Sequence, residues 1–343
     1  MPGKRELAAR VLASFGITRA AGAARSRLVR DLRVLAYHRV LPHLDEATYP
    51  FDLELVSALE AEFDWQMAYV ARHFVPVTCA QVAATLAGGP LLPRRAVMVT
   101  FDDGFRDNHD VALPVLRRRG VPAVFFVSTG YVGTHAVFWF DRIVHLLLRT
   151  SLRTLRLEAI DVDVHLGDGT PAARRAAAAN VLSRLKRVDD VVRLRVLEEL
   201  DTQAGVALDD ATRAASEPMT WDHVRALNAA GMEIGSHTVS HPILARTAPA
   251  TMRAELEQSK ADIERETGQA PLALAYPVGG VSAVDDAVIA ATSAAGYQIA
   301  FTYRSGVNPL PIAAPLLLKR LHVERYTTRP MFEAALQLPS VFA

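Results

Sequence analysis

Cysteine is nearly absent: Cys79 is the only one in 343 residues, so no disulfide can form within the chain. Such usage suits a reducing compartment, and the expected location is cytoplasmic, peripheral to the inner face of a membrane. Long hydrophobic runs are missing too. No stretch approaches the ~20 apolar residues that span a bilayer, and Val11 to Ile17, preceded by Arg10, is too short and mixed for a signal-peptide core. Net charge is only +1, so there is no global basic excess of the kind that would suggest a nucleic-acid partner. What is abundant is apolar side chain. Half the residues are hydrophobic and 22% are charged, which supports a large buried core and excludes a disordered chain.

The charge is unevenly placed. Residues 1–30 carry seven Lys or Arg against one acid, Glu6, and Leu7, Ala8, Val11, Leu12 and Phe15 fall at helical spacing. A basic amphipathic segment of this kind is expected either to pack on the rest of the protein or to contact an anionic membrane through residues 4–30. We therefore separate residues 1–32, a basic amphipathic segment, from 33–343.

Beyond that segment, short apolar runs recur at 33–40, 96–103, 123–130, 232–238, 273–278, 298–303 and 316–323. Helical patterns lie between them, around 52–73, 108–120, 220–231, 249–267 and 283–296. Strand–helix alternation predicts an α/β fold with a parallel sheet and helices outside. His38, Asp102, Asp103, His237, Tyr276 and His322 sit near the C-terminal ends of these runs, where parallel α/β folds build their sites. The rhythm breaks between Tyr131 and Pro218. There a short alternating stretch precedes a charged, alanine-rich run over 171–200, read as one helical segment of an insertion that forms a lid or substrate wall.

Two segments carry chemistry. Val99-Thr100-Phe101-Asp102-Asp103-Gly104 ends an apolar strand on adjacent carboxylates, which are costly to bury unless a cation or hydrogen bonds offset their repulsion. Alone, Asp-Asp-Gly is ordinary turn composition. Gly235-Ser236-His237-Thr238-Val239-Ser240-His241 places two histidines four apart just past a strand, where one face of a helical turn would present both to a single metal. Together they supply two imidazoles and a carboxylate for a metal, with a second carboxylate free to take a proton from water. No other cluster has ligands of these types at workable spacing, and the remaining histidines (His43, His73, His109, His135, His145, His165 and His223) read as surface or packing residues.

Thr100-Phe101-Asp102-Asp103-Gly104 followed by His237-Thr238-x-x-His241 resembles the first two signature motifs of the polysaccharide deacetylases, the NodB-homology fold of carbohydrate esterase family four. Residues 33–130 and 218–323 resemble it in order and spacing. Tyr37-His38-Arg39-Val40 is similar to relatives from exopolysaccharide or lipopolysaccharide assembly. The resemblance implies a distorted (β/α) barrel of about seven or eight parallel strands, with a partly helical insertion at 131–218. It implies Asp102 as catalytic base and Asp103, His237 and His241 as ligands of one divalent ion, zinc or similar. Thr100 and Ser240 would support them as hydroxyls. A tetrahedral oxyanion would be held by the metal and a backbone amide near Tyr276, so Tyr276, Pro277 and His38 are the substrate and oxyanion candidates. The implied substrate is an N-acetylated amino sugar in a glycan or lipid-linked saccharide. Alternatives are an O-acetyl sugar esterase with the same machinery, or a non-catalytic glycan-binding member, which would be expected to have lost part of the metal set.

The chain departs from that pattern in its third motif. Leu274-Ala275-Tyr276-Pro277-Val278-Gly279-Gly280 lacks the arginine that orients the catalytic aspartate. A fourth-motif tryptophan has only Phe301 and Tyr303 in its place, and the fifth motif survives as Leu321-His322 with altered spacing. Along 316–323, a period of two puts Leu318, Arg320 and His322 on one face. If that face looks inward, Arg320 is expected to reach Asp102 and keep it ionised, and His322 to act as general acid.

Overall fold

The computed structural model describes residues 4–14 and 16–342; Phe15 lies outside them. Seven strands form the barrel: β1 (Asp31–Tyr37), β2 (Ala96–Phe101), β3 (Ala123–Val127), β4 (Glu233–Ser236), β5 (Ala273–Ala275), β6 (Ile299–Ser305) and β7 (Leu318–His322). Each pairs in parallel with the next along the chain, and β7 returns to β1, so the sheet closes without a free edge. Every apolar run singled out in the sequence supplies one of these strands, which makes the fold a (β/α) barrel of seven.

The strands are near-continuously apolar because both faces are buried. One alternate set, including Val34, Met98, Val124, Phe126, Ala273, Ile299, Phe301 and Leu318, forms one cluster. The other set, including Leu35, Tyr37, Val97, Val99, Phe101, Phe125 and Leu321, packs with the surrounding helices Glu60–His73, Leu113–Arg119, Trp221–Ala229 and Arg329–Gln337. The period-two alternation thus sorts interior from helix-facing residues.

Several local expectations are corrected. The helix expected over 52–73 begins only at Glu60; Val56–Leu59 is instead a strand paired in parallel with Arg39–Leu41, so a tertiary pairing overrides the helical pattern. The continuous segment expected over 171–200 is two helices, Pro171–Leu185 and Asp190–Ala204, because Asp189 takes an extended N-cap conformation and restarts the helix. Together with helix Trp139–Arg149 and the hairpin Thr154–Leu157/Val162–His165, they close a hydrophobic core of their own, which Phe105 and Leu55 reach from outside the insertion.

The N-terminal segment forms two helices, α1 (Lys4–Ser14) and α2 (Ile17–Leu28). Ala9 of α1 is buried against Ala334 and Phe342, whereas Leu7 and Val11 are exposed. Of the apolar residues named in the sequence, Leu12 packs beside Ala9 on that cluster, while Leu7 and Val11 stay outside it. Among the described residues no helix is long and apolar enough to cross a membrane.

Candidate active site

The segment after β2 turns sharply. Asp103 has φ 75°, and Gly104 follows with φ 90°. A side chain on Gly104 would meet Val127 at 3.2 Å, so the turn lies tight against β3. Asp102 and Asp103, successive in sequence, are both buried at the C-terminal end of the barrel.

The histidine segment is not the helical turn expected from its four-residue spacing. It is a loop in which Thr238 (φ 69°) and His241 (φ 56°) are both left-handed. Side chains and backbone pin it: Glu255 accepts from Val239 N at 2.7 Å, Ser240 N at 2.9 Å and Ser240 Oγ at 2.6 Å. Thr129 N and Gly130 N donate to the carbonyls of Thr238 and Val239. Asp103, Thr238, His241 and Val278 are all non-glycine residues at positive φ, and all sit in this one site. Such strain persists only where the surroundings over-determine it.

The result is a compact ligand set. His237 Nε2 and His241 Nε2 each lie 3.3 Å from Asp103 Oδ1. One ligand atom from each of the three falls within 4.8 Å of the others. His237 Nδ1 donates to the Ala275 carbonyl at 2.7 Å, which fixes the tautomer with Nε2 free to ligate. The Trp139 indole N–H sits 3.3 Å from both Nδ1 and the carbonyl oxygen of His241. Asp103 Oδ2 is buried without a hydrogen-bond partner. An orphaned carboxylate oxygen beside two imidazoles is the donor set that a divalent cation satisfies. Burial opposes ionisation of Asp103, yet the adjacent His237 and His241 imidazoles hold it well below the usual carboxylate range. Burial lowers His241, keeping it neutral, while for His237 the Asp103 carboxylate reverses the effect of burial.

Asp102 faces a different partner. Arg320 Nη1 and Nη2 donate to its two oxygens at 2.7 Å each, a buried bidentate pair. The guanidinium is itself held by Thr302 O at 2.9 Å and by the Thr100 hydroxyl at 3.4 Å. Burial would raise Asp102; the Arg320 charge outweighs it and holds the carboxyl below its ordinary value.

His38 Nε2 lies 4.0 Å from Asp102 Oδ2. Its backbone is fixed by Ser57 Oγ, which accepts from His38 N at 3.0 Å, and by Asn108, which donates to its carbonyl at 2.8 Å. His322 is placed elsewhere. It stacks on Tyr303 with centroids 3.7 Å apart, its Nε2 is buried without a partner, and it is not among the residues lining the cavity. Burial and the nearby Arg320 charge push it down to about 3. Tyr276 lines the cavity, but its own amide is spent. Its ring packs in an outer cluster with Val288 and Tyr297, and its N–H is consumed by the Phe301 carbonyl at 3.0 Å. Pro277 has no N–H, and Val278, the next residue, lines the cavity.

The cavity holds about 230 Å³ and is lined by His38, Asp102, Asp103, His237, His241 and Val278, with Trp139, Phe140 and Leu182 as an apolar wall from the insertion. A groove of about 520 Å³ shares Asp52, Glu54, Leu182 and Lys186 with it and continues along helix Pro171–Leu185. Tyr303 and Val278 stand in the fourth and third motif positions, whereas the sequence offered no reason to single out Glu255 or Trp139. The Phe-Trp-Phe run at 138–140 was the only visible signal. A second group, His109, Asp110 and His223, also brings metal-ligand types together, correcting the expectation that Asp103, His237 and His241 were the only such cluster. There the Thr220 amide already occupies His223 Nδ1 at 3.2 Å as a helix cap.

A profile described as "Polysaccharide deacetylase" matches residues 91–300, from ahead of β2 into β6. The poly-beta-1,6-N-acetyl-D-glucosamine N-deacetylase of Escherichia coli (strain K12) is 35% identical over 80 residues, which are 23% of this chain; the match spans only 12% of that relative. Among solved structures, the Streptococcus pyogenes deacetylase PplD in complex with acetate superposes with a TM-score of 0.58 at 19% identity, covering 90% of this chain and 98% of that one. IcaB from Ammonifex degensii gives 0.56 at 20% identity, covering 92% and 98%. At these identities the structural likeness speaks to the fold. With the profile spanning more than half its length, the chain belongs to the polysaccharide deacetylase family.

Proposed function

We propose that this protein hydrolyses the acetamide of N-acetylhexosamine residues in a glycan, releasing acetate and a free amine. The observation that carries the reading is the division of labour between two adjacent aspartates, Asp103 with two histidines and Asp102 with Arg320. Asp103, His237 and His241 would hold one divalent ion, of which zinc fits the N,O donor set. Such an ion acidifies a bound water and polarises the scissile carbonyl.

The chain's own groups supply the rest. Asp102, kept ionised by Arg320, accepts the proton of the attacking water. The Val278 N–H, presented by a left-handed backbone, donates to the oxygen on which negative charge develops. His38, on the cavity wall beside Asp102, protonates the departing nitrogen. In this reading Arg320 positions the base, and His322 supports the stack beneath Tyr303 rather than touching substrate. The substrate is a polymer or oligomer rather than one free sugar. A cavity of about 230 Å³ is small for a ligand site, whereas the cavity and its 520 Å³ continuation together reach the ~300–1,000 Å³ range typical of such sites. The insertion, residues 131–218, therefore acts as substrate wall.

Acetate release from a panel of N-acetylated and O-acetylated oligosaccharides, with and without exhaustive chelation, tests this. Release from N-acetylhexosamine oligomers, lost on chelation and restored by zinc, is expected. Undiminished turnover after chelation would sink the mechanism. Release only from O-acetylated substrates would reassign the enzyme as an esterase.

A further inference from the structure

The end of the barrel opposite the active site carries an apolar and basic surface that the proposed chemistry does not use. Three segments meet there. The first is Arg27-Leu28-Val29-Arg30, where α2 ends and β1 begins; Leu28 is 87% exposed and Val29 40%. The second is residues 86–95, Leu-Ala-Gly-Gly-Pro-Leu-Leu-Pro-Arg-Arg, which lead into β2 and leave Leu91 65% exposed. Arg94 of this segment donates to the carbonyls of Ser26 and Arg27, which ties it to the end of α2. The third is residues 309–315, Pro-Leu-Pro-Ile-Ala-Ala-Pro. Leu310 N donates to the Arg30 carbonyl at 3.0 Å, and Pro309 pairs with Asp31.

Together the three segments hold four arginines and no acidic residue. None of Arg27, Arg30, Arg94 and Arg95 forms an ion pair among the described residues. The nearby acid, Asp31, is buried and paired with Arg25 and Arg33. Arg27, Arg30 and Arg94 are exposed, while Arg95 is half-buried over the Phe74 ring and donates to Gln337. Exposed leucines beside three unpaired surface cations match the two terms of adsorption to an anionic bilayer, apolar insertion at the headgroup level and attraction to its surface potential. The exposed Leu7 and Val11 of α1 extend the apolar character along the N-terminal helices.

We propose that this end of the barrel docks the protein on the surface of an anionic lipid bilayer, with the catalytic mouth directed away from the lipid. The orientation follows from the strands. Arg30 precedes β1 and His38 follows it; Arg94 and Arg95 precede β2 and Asp102 follows it. Seven strand residues at ~3.3 Å each separate the two ends of β1 by roughly 23 Å. Adsorption through this face leaves the active-site cavity open to a glycan in the aqueous phase.

The test uses the whole chain and vesicles of phosphatidylcholine with or without phosphatidylglycerol. Sedimentation with the phosphatidylglycerol vesicles only is expected, and it should weaken as ionic strength rises. Arg27→Ala with Arg30→Ala should lower the partition coefficient on the order of tenfold or more, and Leu28→Asp with Leu91→Asp should do so at low salt as well. Circular dichroism melts unchanged from wild type establish that these surface variants fold, whatever the outcome of the deacetylase assays. Absence of sedimentation overturns the proposal. So does equal binding to both vesicle types, or variants that bind like wild type.

Discussion

Replacing Arg320 by methionine tests the electrostatic logic of the site most directly. The Arg320–Asp102 pair is nearly solvent-free, with side-chain exposures of 1% and 2%, and both hydrogen bonds measure 2.7 Å. Methionine keeps much of the stem volume but leaves a carboxylate buried without its cation. Removing one partner of a buried pair costs about 3–5 kcal/mol. At about 1.4 kcal/mol per pH unit, relief of that cost by protonation moves the Asp102 titration up by two pH units or more. In the wild type the folded-state value lies below the ordinary one, so Asp102 ionisation contributes stability above the unfolded carboxylate range and that contribution fades as pH falls through the folded value. In the variant the sign inverts: ionisation is a burden at neutral pH, and the deficit against wild type should shrink as the solution is acidified. The assay is paired, with thermal melts between about pH 4 and 8 and acetate release over the same range. Arg320→Met should show a larger melting deficit at pH 8 than at pH 5, and an acid limb of kcat displaced to higher pH. Arg320→Lys should restore part of both, since it keeps the charge but not the fork. An acid limb at the wild-type position in Arg320→Met, with a pH-independent melting deficit, would show that Arg320 only fills space.

Three further outcomes follow from the same geometry. Asp102→Asn should retain the metal and the melting profile while losing ~10²–10⁴-fold in turnover, because the amide cannot accept the water's proton; near-native turnover would reassign the base. Asp103→Asn should instead weaken zinc affinity in direct metal titration, and unchanged affinity would remove it from the ligand set. Asp141, buried on helix Trp139–Arg149 of the insertion and accepting from Ser216 Oγ at 2.8 Å and Asp52 N at 2.9 Å, is pushed up to about 7 by burial. Its folded value exceeds the unfolded one, so stability should fall with rising pH between about 4 and 7, by up to about 1.4 kcal/mol per pH unit. Asp141→Asn should flatten that slope in urea titrations, and an unaltered slope would refute the assignment.

How far the site could be read from the chain varies by residue. Asp102, Asp103, His237 and His241 were visible because strand ends and a fixed spacing put ligand types where parallel folds build sites, and the structure brings them together. Arg320 was accessible through the period of two on β7, which the barrel interior enforces. His322 lies on the same strand, but the strand ends there, and Tyr303 intervenes between its ring and the cavity. A backbone amide near Tyr276 was implied by the family resemblance, but that Tyr276 N itself is spent on the Phe301 carbonyl is a pairing across strands that the sequence does not show.

The sequence by itself determined seven apolar runs alternating with helical patterns, since hydrophobic periodicity is local, and the ligand types at their ends; a barrel of about seven or eight strands was what the family resemblance implied, and the pairing of β7 with β1 closes it at seven. The tertiary structure alone decided which backbone faces the cavity, which histidine lies beside the base, and how the insertion walls the groove. Glu255 shows why. It lies fourteen residues beyond His241 and fixes the ligand loop only because helix Pro249–Thr267 packs alongside it, a contact that no spacing in the chain encodes.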